Sequence, residues 1–255
     1  MNRLPLIAAL LIAGPAAQAA EYRWNCQDNA ATTTVAGTIA GALDSSTTSA
    51  ITTTGPGGSY PAAFALGGSR EFTVAPDGTL NGLSSAVSVA WWMNGVDYTS
   101  TTAEQFAGIF CKDGGGAGDE WAITLNSGTS LRLRQNNATQ AASGSIAGTG
   151  AWHHYAMVYN GTTVQFYQDG STLGSATTVT VDFTNTQTIY VGLDNTNGRN
   201  LKANIAGVYI SDTALNGAAI SALYAEGSTA TSRNPLTATI PGVAKDPLTA
   251  TIPGP

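Results

Sequence analysis

The chain has 255 residues, of which 43% are hydrophobic and only 10% are charged, and its formal net charge at pH 7 is −6. No basic patch is visible in the sequence, which argues against nucleic acid and anionic membrane surfaces as partners, because both are bound through clustered positive charge. A chain of this length fits one large β domain.

Residues 1–19 have the features of a secretory signal peptide. Arg3 supplies a positive start, the apolar run 4–13 is too short to span a bilayer, and Ala17-Gln18-Ala19 fits the small-x-small cleavage pattern. The mature chain would then begin near Ala20. No later run is apolar for long enough to insert into a membrane, so we expect an exported protein, secreted or held at the cell surface.

The cysteines at positions 26 and 111 are the only two in the chain. In an exported protein this number favours one disulfide, Cys26–Cys111. An intersubunit bond or two free thiols remain alternatives.

Residues 20–228 are dominated by short strand-like runs that are separated by turn residues. The run SAVSVAWWMN (85–94) places Trp91 and Trp92 on opposite faces of one strand. The stretch 120–137 predicts a hairpin that turns at 126–128. A second hairpin, over 154–176, is predicted to turn at Asn160-Gly161 in the type I′ conformation.

The last part of this domain predicts two more strands and one helix. The run TIYVGLDN (188–195) is strand-like, and residues 203–227 predict a strand followed by a short helix. That helix is expected from about Asn216 to Ala225, closed by Gly227. The predicted fold is therefore all-β, an antiparallel two-sheet sandwich with one short helix near its C-terminal end.

The tail, residues 229–255, contains the sequence PLTATIPG twice, at 235–242 and at 247–254. Each copy alternates apolar residues with threonines between prolines, and is too short to build its own core. One hypothesis is that this strand adds to the open sheet edge of a neighbouring subunit. The alternative is a linker that was duplicated.

The stretch GTGAWHHYAMVYNGTTVQFYQDGSTLGS (148–175) resembles the signature of laminin-G-like jelly-roll domains of the concanavalin A-like lectin/glucanase superfamily. That signature is Trp-x-His, an apolar strand, a turn, an aromatic strand and an Asp-Gly hairpin. The resemblance implies a jelly roll over residues 20–228. It also implies structural roles for the motif residues Trp92, Trp152, His154, Asp169 and Gly170.

His153 and His154 are the only histidines, and adjacent residues of a strand point to opposite faces of its sheet. We therefore expect no shared metal ion. His154 is predicted to be a hydrogen-bonded structural residue, and His153 to lie on the surface or in a groove.

Glycoside hydrolysis requires two carboxyl groups about 5–10 Å apart, one on each side of the scissile bond. The related glucanases place theirs on alternate residues of one strand, and no such run occurs here. The five glutamates, at positions 21, 71, 104, 120 and 226, are scattered along the chain. We therefore expect a protein that is not an enzyme.

Calcium is a candidate cofactor, because several branches of the superfamily bind it through oxygen atoms of loop residues. The candidate ligands lie in two Gly/Asp/Asn-rich loops and are Asp113, Asp119, Asp194, Asn195 and Asn197. Candidates for contacts to a glycan are aromatic residues and one amide, namely Trp91, Tyr98, Trp121, Tyr155, Tyr167 and Asn195.

Two functions of different classes remain. The first is an exported, non-catalytic recognition domain that binds a glycan or a cell-surface or matrix protein. The second is a structural subunit that self-associates through its edge strands and residues 229–255 into a filament or surface layer. A glycoside hydrolase is a distant third.

Overall fold

A computed structural model of the protein describes residues 21–24, 34–36, 42–45, 52–66, 71–74, 83, 85–98, 105–112 and 121–228. These residues form two antiparallel sheets that pack face to face. The strands in chain order are β1 (Glu21–Trp24), β2 (Thr34–Ala36), β3 (Ala42–Ser45), β4 (Thr52–Gly57), β5 (Tyr60–Ala65), β6 (Phe72–Val74), β7 (Val87–Asp97), β8 (Gly108–Lys112), β9 (Trp121–Asn126), β10 (Ser130–Gln135), β11 (Ala138–Ser145), β12 (Trp152–Tyr159), β13 (Thr163–Gln168), β14 (Ser171–Thr172), β15 (Thr177–Thr178), β16 (Ile189–Val191), β17 (Leu193–Asp194), β18 (Arg199–Asn200) and β19 (Lys202–Ser211). One helix, α1, spans Gly217–Ser228.

The first sheet has the strand order β14-β13-β12-β7-β19-β5-β4, with β1 and β15 attached to β19 and β13. The second has the order β11-β10-β9-β8-β16-β6-β3-β2, and β17 pairs with β18 in a separate small hairpin. The non-sequential neighbours are typical of a jelly roll, so the predicted all-β, two-sheet fold with one late helix is confirmed.

Period-two alternation decides which side chains fill the space between the sheets. On β7, Val89 and Trp91 are fully buried in the main core, whereas Trp92 points to the other face and joins a second cluster. On β10, Leu131 and Leu133 enter the same main core, which leaves the residues between them on the outer face of the second sheet.

The helix α1 covers the outer face of the first sheet through Ile220 and Leu223. Asn216 caps its N-terminus, because the Asn216 side-chain oxygen accepts a hydrogen bond from the backbone N–H of Ala219 at 2.9 Å. The prediction that Gly227 closes the helix is wrong, since Gly227 lies within it. A β-carbon at Gly227 would stand 2.6 Å from the indole nitrogen of Trp92, so packing and not capping requires glycine there.

Both predicted hairpins form, as β9–β10 and β12–β13. The predicted type I′ turn at Asn160-Gly161 is wrong: Gly161 has a φ of 92°, but Asn160 does not have a positive φ. The Asn160 side-chain oxygen instead accepts hydrogen bonds from the backbone N–H groups of Thr162 and Thr163. A side chain that satisfies the turn's donors removes the need for two left-handed residues.

Residues 1–19, Cys26 and the repeated tail lie outside the described residues, so the signal peptide, the disulfide and the role of the tail stay predictions. Cys111 is buried on β8. Among the described residues, α1 is not long and apolar enough to cross a membrane.

Candidate functional site

The side chain of Asp169, in the β13–β14 turn, forms hydrogen bonds to residues at the start of β12. Asp169 adopts a φ of 50° and Gly170 one of 77°, as a type I′ turn requires. One Asp169 oxygen accepts the backbone N–H of His154 at 2.9 Å, and the other lies 2.7 Å from the His153 ring nitrogen Nδ1. The Asp-Gly motif is therefore a clamp between strands.

The two histidine rings diverge as strand geometry predicts. His154 is buried beside Trp92, with ring centroids 5.4 Å apart, on the outer face of the first sheet under α1. His153 is half-buried and lines a groove. His154 bonds Asp169 through its backbone N–H, and its ring Nδ1 has no partner among the described residues.

Burial lowers the pKa of His154 from its ordinary 6.5 to about 4, and the nearby Asp169 carboxylate opposes that shift. The unfolded chain therefore takes up a proton at His154 below pH 6.5, whereas the folded protein does so only near pH 4. Between these limits the free energy of unfolding decreases as the pH falls.

We expect this coupling to lower the free energy of unfolding by up to about 3 kcal/mol as the pH falls from above 6.5 to 4. The measurement is denaturant unfolding across that window for the protein and for a His154→Phe variant, which lacks the titrating group. The variant should show a shallower pH dependence. Equal slopes for the two proteins would contradict the buried, neutral histidine.

A first surface cavity, the helix cavity, lies between the C-terminal part of α1 and the start of β12. It has a volume of about 280 Å³, and its walls include Trp92, Trp152, His153, Asp169 and Tyr224. The rings of Trp92 and Tyr224 stack at a centroid distance of 5.5 Å. Trp92 is buried there and, with Asp169 and His154, serves to attach the helix and the turn to the first sheet.

Most residues predicted to contact a glycan lie in the core, which corrects that prediction. Four of them are at most 5% exposed, and these are Trp91, Tyr98, Trp121 and Tyr155. Trp91, Trp121 and Tyr155 face inward because they share a strand face with the apolar residues between the sheets, and Tyr98 joins the same core directly after the end of β7. Tyr167 packs beside the helix-covered cluster, and Asn195 lies half-buried in the β17–β18 turn.

Asp194, a predicted calcium ligand, is only 1% exposed and is paired with a cation of the chain itself. Arg134 donates to its Oδ2 at 2.8 Å, and Asn197 donates to the carboxylate through its backbone and side chain. A calcium ion would have to compete with Arg134 for this carboxylate. Asp113 and Asp119 lie outside the described residues, so calcium binding stays a prediction.

A second and larger cavity, the arginine cavity, lies on the outer face of the second sheet. Its volume is about 440 Å³, and its lining residues are Phe106, Arg132, Arg134, Asn137, Asn197 and Arg199. Arg132 and Arg134 lie two residues apart on β10 and therefore share the outer face. The β17–β18 hairpin folds over this face and brings Arg199 to them.

The guanidinium groups of Arg132 and Arg199 lie over one aromatic ring. Their central carbons are 4.9 and 5.5 Å from the centroid of Phe106. Arg132 also donates from Nε to the hydroxyl of Thr124 at 2.8 Å. Burial, followed by the positive charges of Arg134 and Arg199, lowers the pKa of Arg132, as expected where cations are crowded.

The sequence-based statement that no basic patch exists is wrong on this local scale. Two residues of the patch could have been found in the sequence. Arg132 and Arg134 alternate with leucines that face the core, and the chain has only ten basic residues in all. The third arginine could not be found in this way, since it arrives from a hairpin 65 residues further along the chain. Phe106 gave no recognisable signal.

Gly108 on β8 determines how closely the β17–β18 hairpin approaches the second sheet. A β-carbon at this position would lie 2.2 Å from the backbone nitrogen of Asp194 and 2.4 Å from the carbonyl carbon of Leu193. Both atoms belong to the main chain and cannot rotate away. The arginine cavity therefore exists in this form only with glycine at position 108.

We expect Gly108→Ala to displace the hairpin and to destabilise the protein by about 1–3 kcal/mol, because overpacking shifts the backbone. The effect on the cavity should be visible as hydrogen-exchange deprotection confined to residues 192–201, with the first sheet unchanged. A matched control is Gly148→Ala, since a β-carbon there meets nothing within 4 Å. Equal protection in both variants would contradict the close contact.

The sequence and the fold place the chain in a known family. Residues 66–221 match the laminin-G-like family of the concanavalin A-like lectin/glucanases superfamily, and the chain belongs to this family. The expected resemblance is thereby confirmed. No curated protein matches the sequence significantly.

Solved structures with the same fold include toxin domains and one domain of an extracellular enzyme. A structure of botulinum neurotoxin type C has a TM-score of 0.61 at 16% identity, and the binding domain of botulinum neurotoxin DC in complex with SialylT has one of 0.60 at 17%. These matches cover 83% and 82% of this chain, which spans about half (51%) of each toxin chain. Domain 4 of the GH43 arabinanase AbnA from Geobacillus stearothermophilus, in complex with arabinotriose, matches at TM-score 0.53 and 17% identity, over 68% of this chain and 80% of that one.

Proposed function

We propose that this chain is an exported, non-catalytic recognition domain that binds a glycan or a cell-surface protein. The observation that carries the proposal is the arginine cavity, an open pocket of ligand size on the outer face of a rigid sheet. Its walls combine a planar aromatic ring, guanidinium groups and the side-chain amides of Asn137 and Asn197. Guanidinium and amide groups bind the hydroxyl groups of sugars through hydrogen bonds, and the Phe106 ring supports two of the guanidinium groups.

The structural neighbours support a binding role. Neurotoxin type C interacts with two ganglioside molecules, the binding domain of neurotoxin DC forms complexes with rat synaptotagmin II and with SialylT, and the arabinanase domain forms a complex with arabinotriose. Glycans and a surface protein thus occur as ligands on this fold. At 16–17% sequence identity, these structures indicate only that the chain has the same fold. The ligand of this chain is therefore inferred from its own cavity.

The side chains of the arginine cavity also favour binding over catalysis. A glycosidase needs one carboxyl group as an acid and a second as a base or nucleophile. Within the described part of this cavity the nearest carboxylate is that of Asp194, and its oxygens are held by Arg134 and Asn197. Both oxygens of this carboxylate are therefore engaged by side chains of the chain itself, and the described part of the cavity does not offer the pair of carboxyl groups that a glycosidase requires.

A glycan array, probed with the purified protein in the presence and absence of calcium, tests this proposal. We expect saturable binding to a subset of glycans without release of any cleaved product. Calcium-dependent binding would support the predicted ion, and calcium-independent binding would argue against it. An array without signal in either condition, together with no binding to cell surfaces, would overturn the recognition function.

Self-association remains the second candidate. It depends on the repeats in residues 229–255, which lie outside the described residues. Size-exclusion chromatography and negative-stain microscopy of the full chain and of a chain lacking that tail test it. If the full chain and the shortened chain are both monomeric at high concentration, the hypothesis of a filament subunit is excluded.

A further inference from the structure

We propose that the arginine cavity binds the carboxylate or sulfate group of an acidic saccharide, with Arg132 and Arg199 as the two residues that hold the anion. This inference rests on the proposed recognition function and specifies the chemical class of its ligand. It follows from the charge balance, the side-chain geometry and the size of the cavity.

The described part of the cavity carries a net positive charge. Among the described residues, three guanidinium groups face the single carboxylate of Asp194. Arg134 is committed to that carboxylate in a buried pair, with side-chain exposures of 4% and 1%. Arg132 and Arg199 have no ion-pair partner within the described part of the chain, so two positive charges stand beside each other in a protein of net charge −6.

Like charges in a partly desolvated pocket repel each other, and a bound anion removes this repulsion. Both guanidinium groups are half-buried, which reduces the screening of their field by water. A neutral ligand would leave the repulsion in place. The cavity is therefore better suited to a negatively charged group than to a neutral sugar alone.

The two arginines are also oriented before a ligand arrives. Their contacts with the ring of Phe106 and the bond from Arg132 to Thr124 restrict the side-chain rotamers. Restricting long side chains in advance reduces the entropy that is lost on binding. The planar donor forks that remain match two oxygens of a carboxylate or a sulfate.

The rest of the cavity fits the body of a saccharide. A volume of about 440 Å³ exceeds what a free inorganic anion requires and falls within the range of small-ligand sites. Exposed amides at the rim come from Asn137 and Asn197. Asn137 Oδ1 accepts a hydrogen bond from Arg134, and Asn197 Nδ2 donates to Asp194, so Asn137 Nδ2 and Asn197 Oδ1 are the amide atoms without a partner among the described residues. Amides offer both donors and acceptors, the requirement for sugar hydroxyls.

The test compares glucose, glucuronic acid and glucose 6-sulfate, each displayed at equal density on the same neutral polymer, by titration calorimetry against the full protein. Inorganic sulfate and a glutamate-rich peptide serve as further probes. We expect the two acidic sugars to bind at least about tenfold more tightly than glucose, since a charge-assisted hydrogen bond exceeds a neutral one by about 1.4 kcal/mol or more. Their affinity should fall as the salt concentration rises.

Variants assign the effect to the two arginines. Arg132→Gln and Arg199→Gln should each weaken binding of the acidic sugars by about tenfold or more, and Arg199→Lys should be intermediate, because lysine keeps the charge but loses the fork. Arg23→Gln is the control, since it removes one charge from the outer face of the opposite sheet, where Arg23 pairs with Glu226. It should leave the affinity within about twofold. Unchanged melting temperatures establish that the variants are folded.

Each outcome decides one of the two proposals. Equal binding of neutral and acidic sugars, or equal losses in Arg199→Gln and Arg23→Gln, overturns the anion site but leaves the recognition function intact. Binding of inorganic sulfate or of the acidic peptide without binding of any sugar overturns the saccharide ligand, and the peptide result indicates a protein partner. Arginine-dependent preference for the acidic sugars supports both proposals.

Discussion

Replacing Arg134 with methionine is expected to lower the free energy of unfolding by about 3–5 kcal/mol, because the change leaves the carboxylate of Asp194 buried without its cation. Asp194 is 1% exposed, so water cannot take the place of the guanidinium. Arg134 lies on β10 and Asp194 on β17, so the same substitution should loosen the β17–β18 hairpin. Guanidinium chloride unfolding of the two proteins measures the difference.

Two controls separate the buried pair from charge in general. The double variant Arg134→Met/Asp194→Asn removes both charges and keeps an acceptor for Asn197, so most of the lost stability should return. Arg23→Met breaks a pair whose side chains are each 32% exposed, and it should cost about 1 kcal/mol or less. A double variant as unstable as Arg134→Met would indicate that packing, and not the unpaired charge, causes the loss.

Trp91→Ala should destabilise the protein by about 3–5 kcal/mol, because it removes one of the largest fully buried side chains between the sheets. The indole contacts Phe110 edge-on, with centroids 5.2 Å apart, and stacks on Tyr155 at 5.9 Å. The contact with Phe110 joins β7 of the first sheet to β8 of the second, and the contact with Tyr155 joins β7 to its neighbour β12. Thermal unfolding or denaturant titration measures the loss.

The milder variant Trp91→Phe distinguishes a core residue from a ligand contact. Phenylalanine keeps a ring between Phe110 and Tyr155 and removes an indole N–H that has no hydrogen-bond partner among the described residues. Its cost should therefore be well below that of Trp91→Ala. Saccharide affinity should be the same as in the parent protein, and a selective loss of binding at unchanged stability would place Trp91 in the ligand site after all.

The aromatic residues of β7 show which features strand alternation predicts and which depend on the packing of distant elements. Alternation predicted that Trp91 and Trp92 face opposite sides, which the structure confirms, but it could not tell which side is covered. The outer face of the first sheet turned out to be buried as well, because α1 lies on it. The aromatic residue on this outer face, Trp92, is therefore part of a second packed layer.

The sequence by itself determined the strand pattern, the hairpins and the divergence of His153 and His154. These features depend on the φ preferences of turn residues and on the alternation of side chains between the two faces of a strand. Both act between near neighbours in the chain. The arginine cavity was decided only by the tertiary structure. Arg134 meets Asp194 sixty residues away, and Phe106 lies under both Arg132 and Arg199 because the β17–β18 hairpin folds onto the second sheet at Gly108. Local preference carries no information about such pairings, which arise when the sheets close.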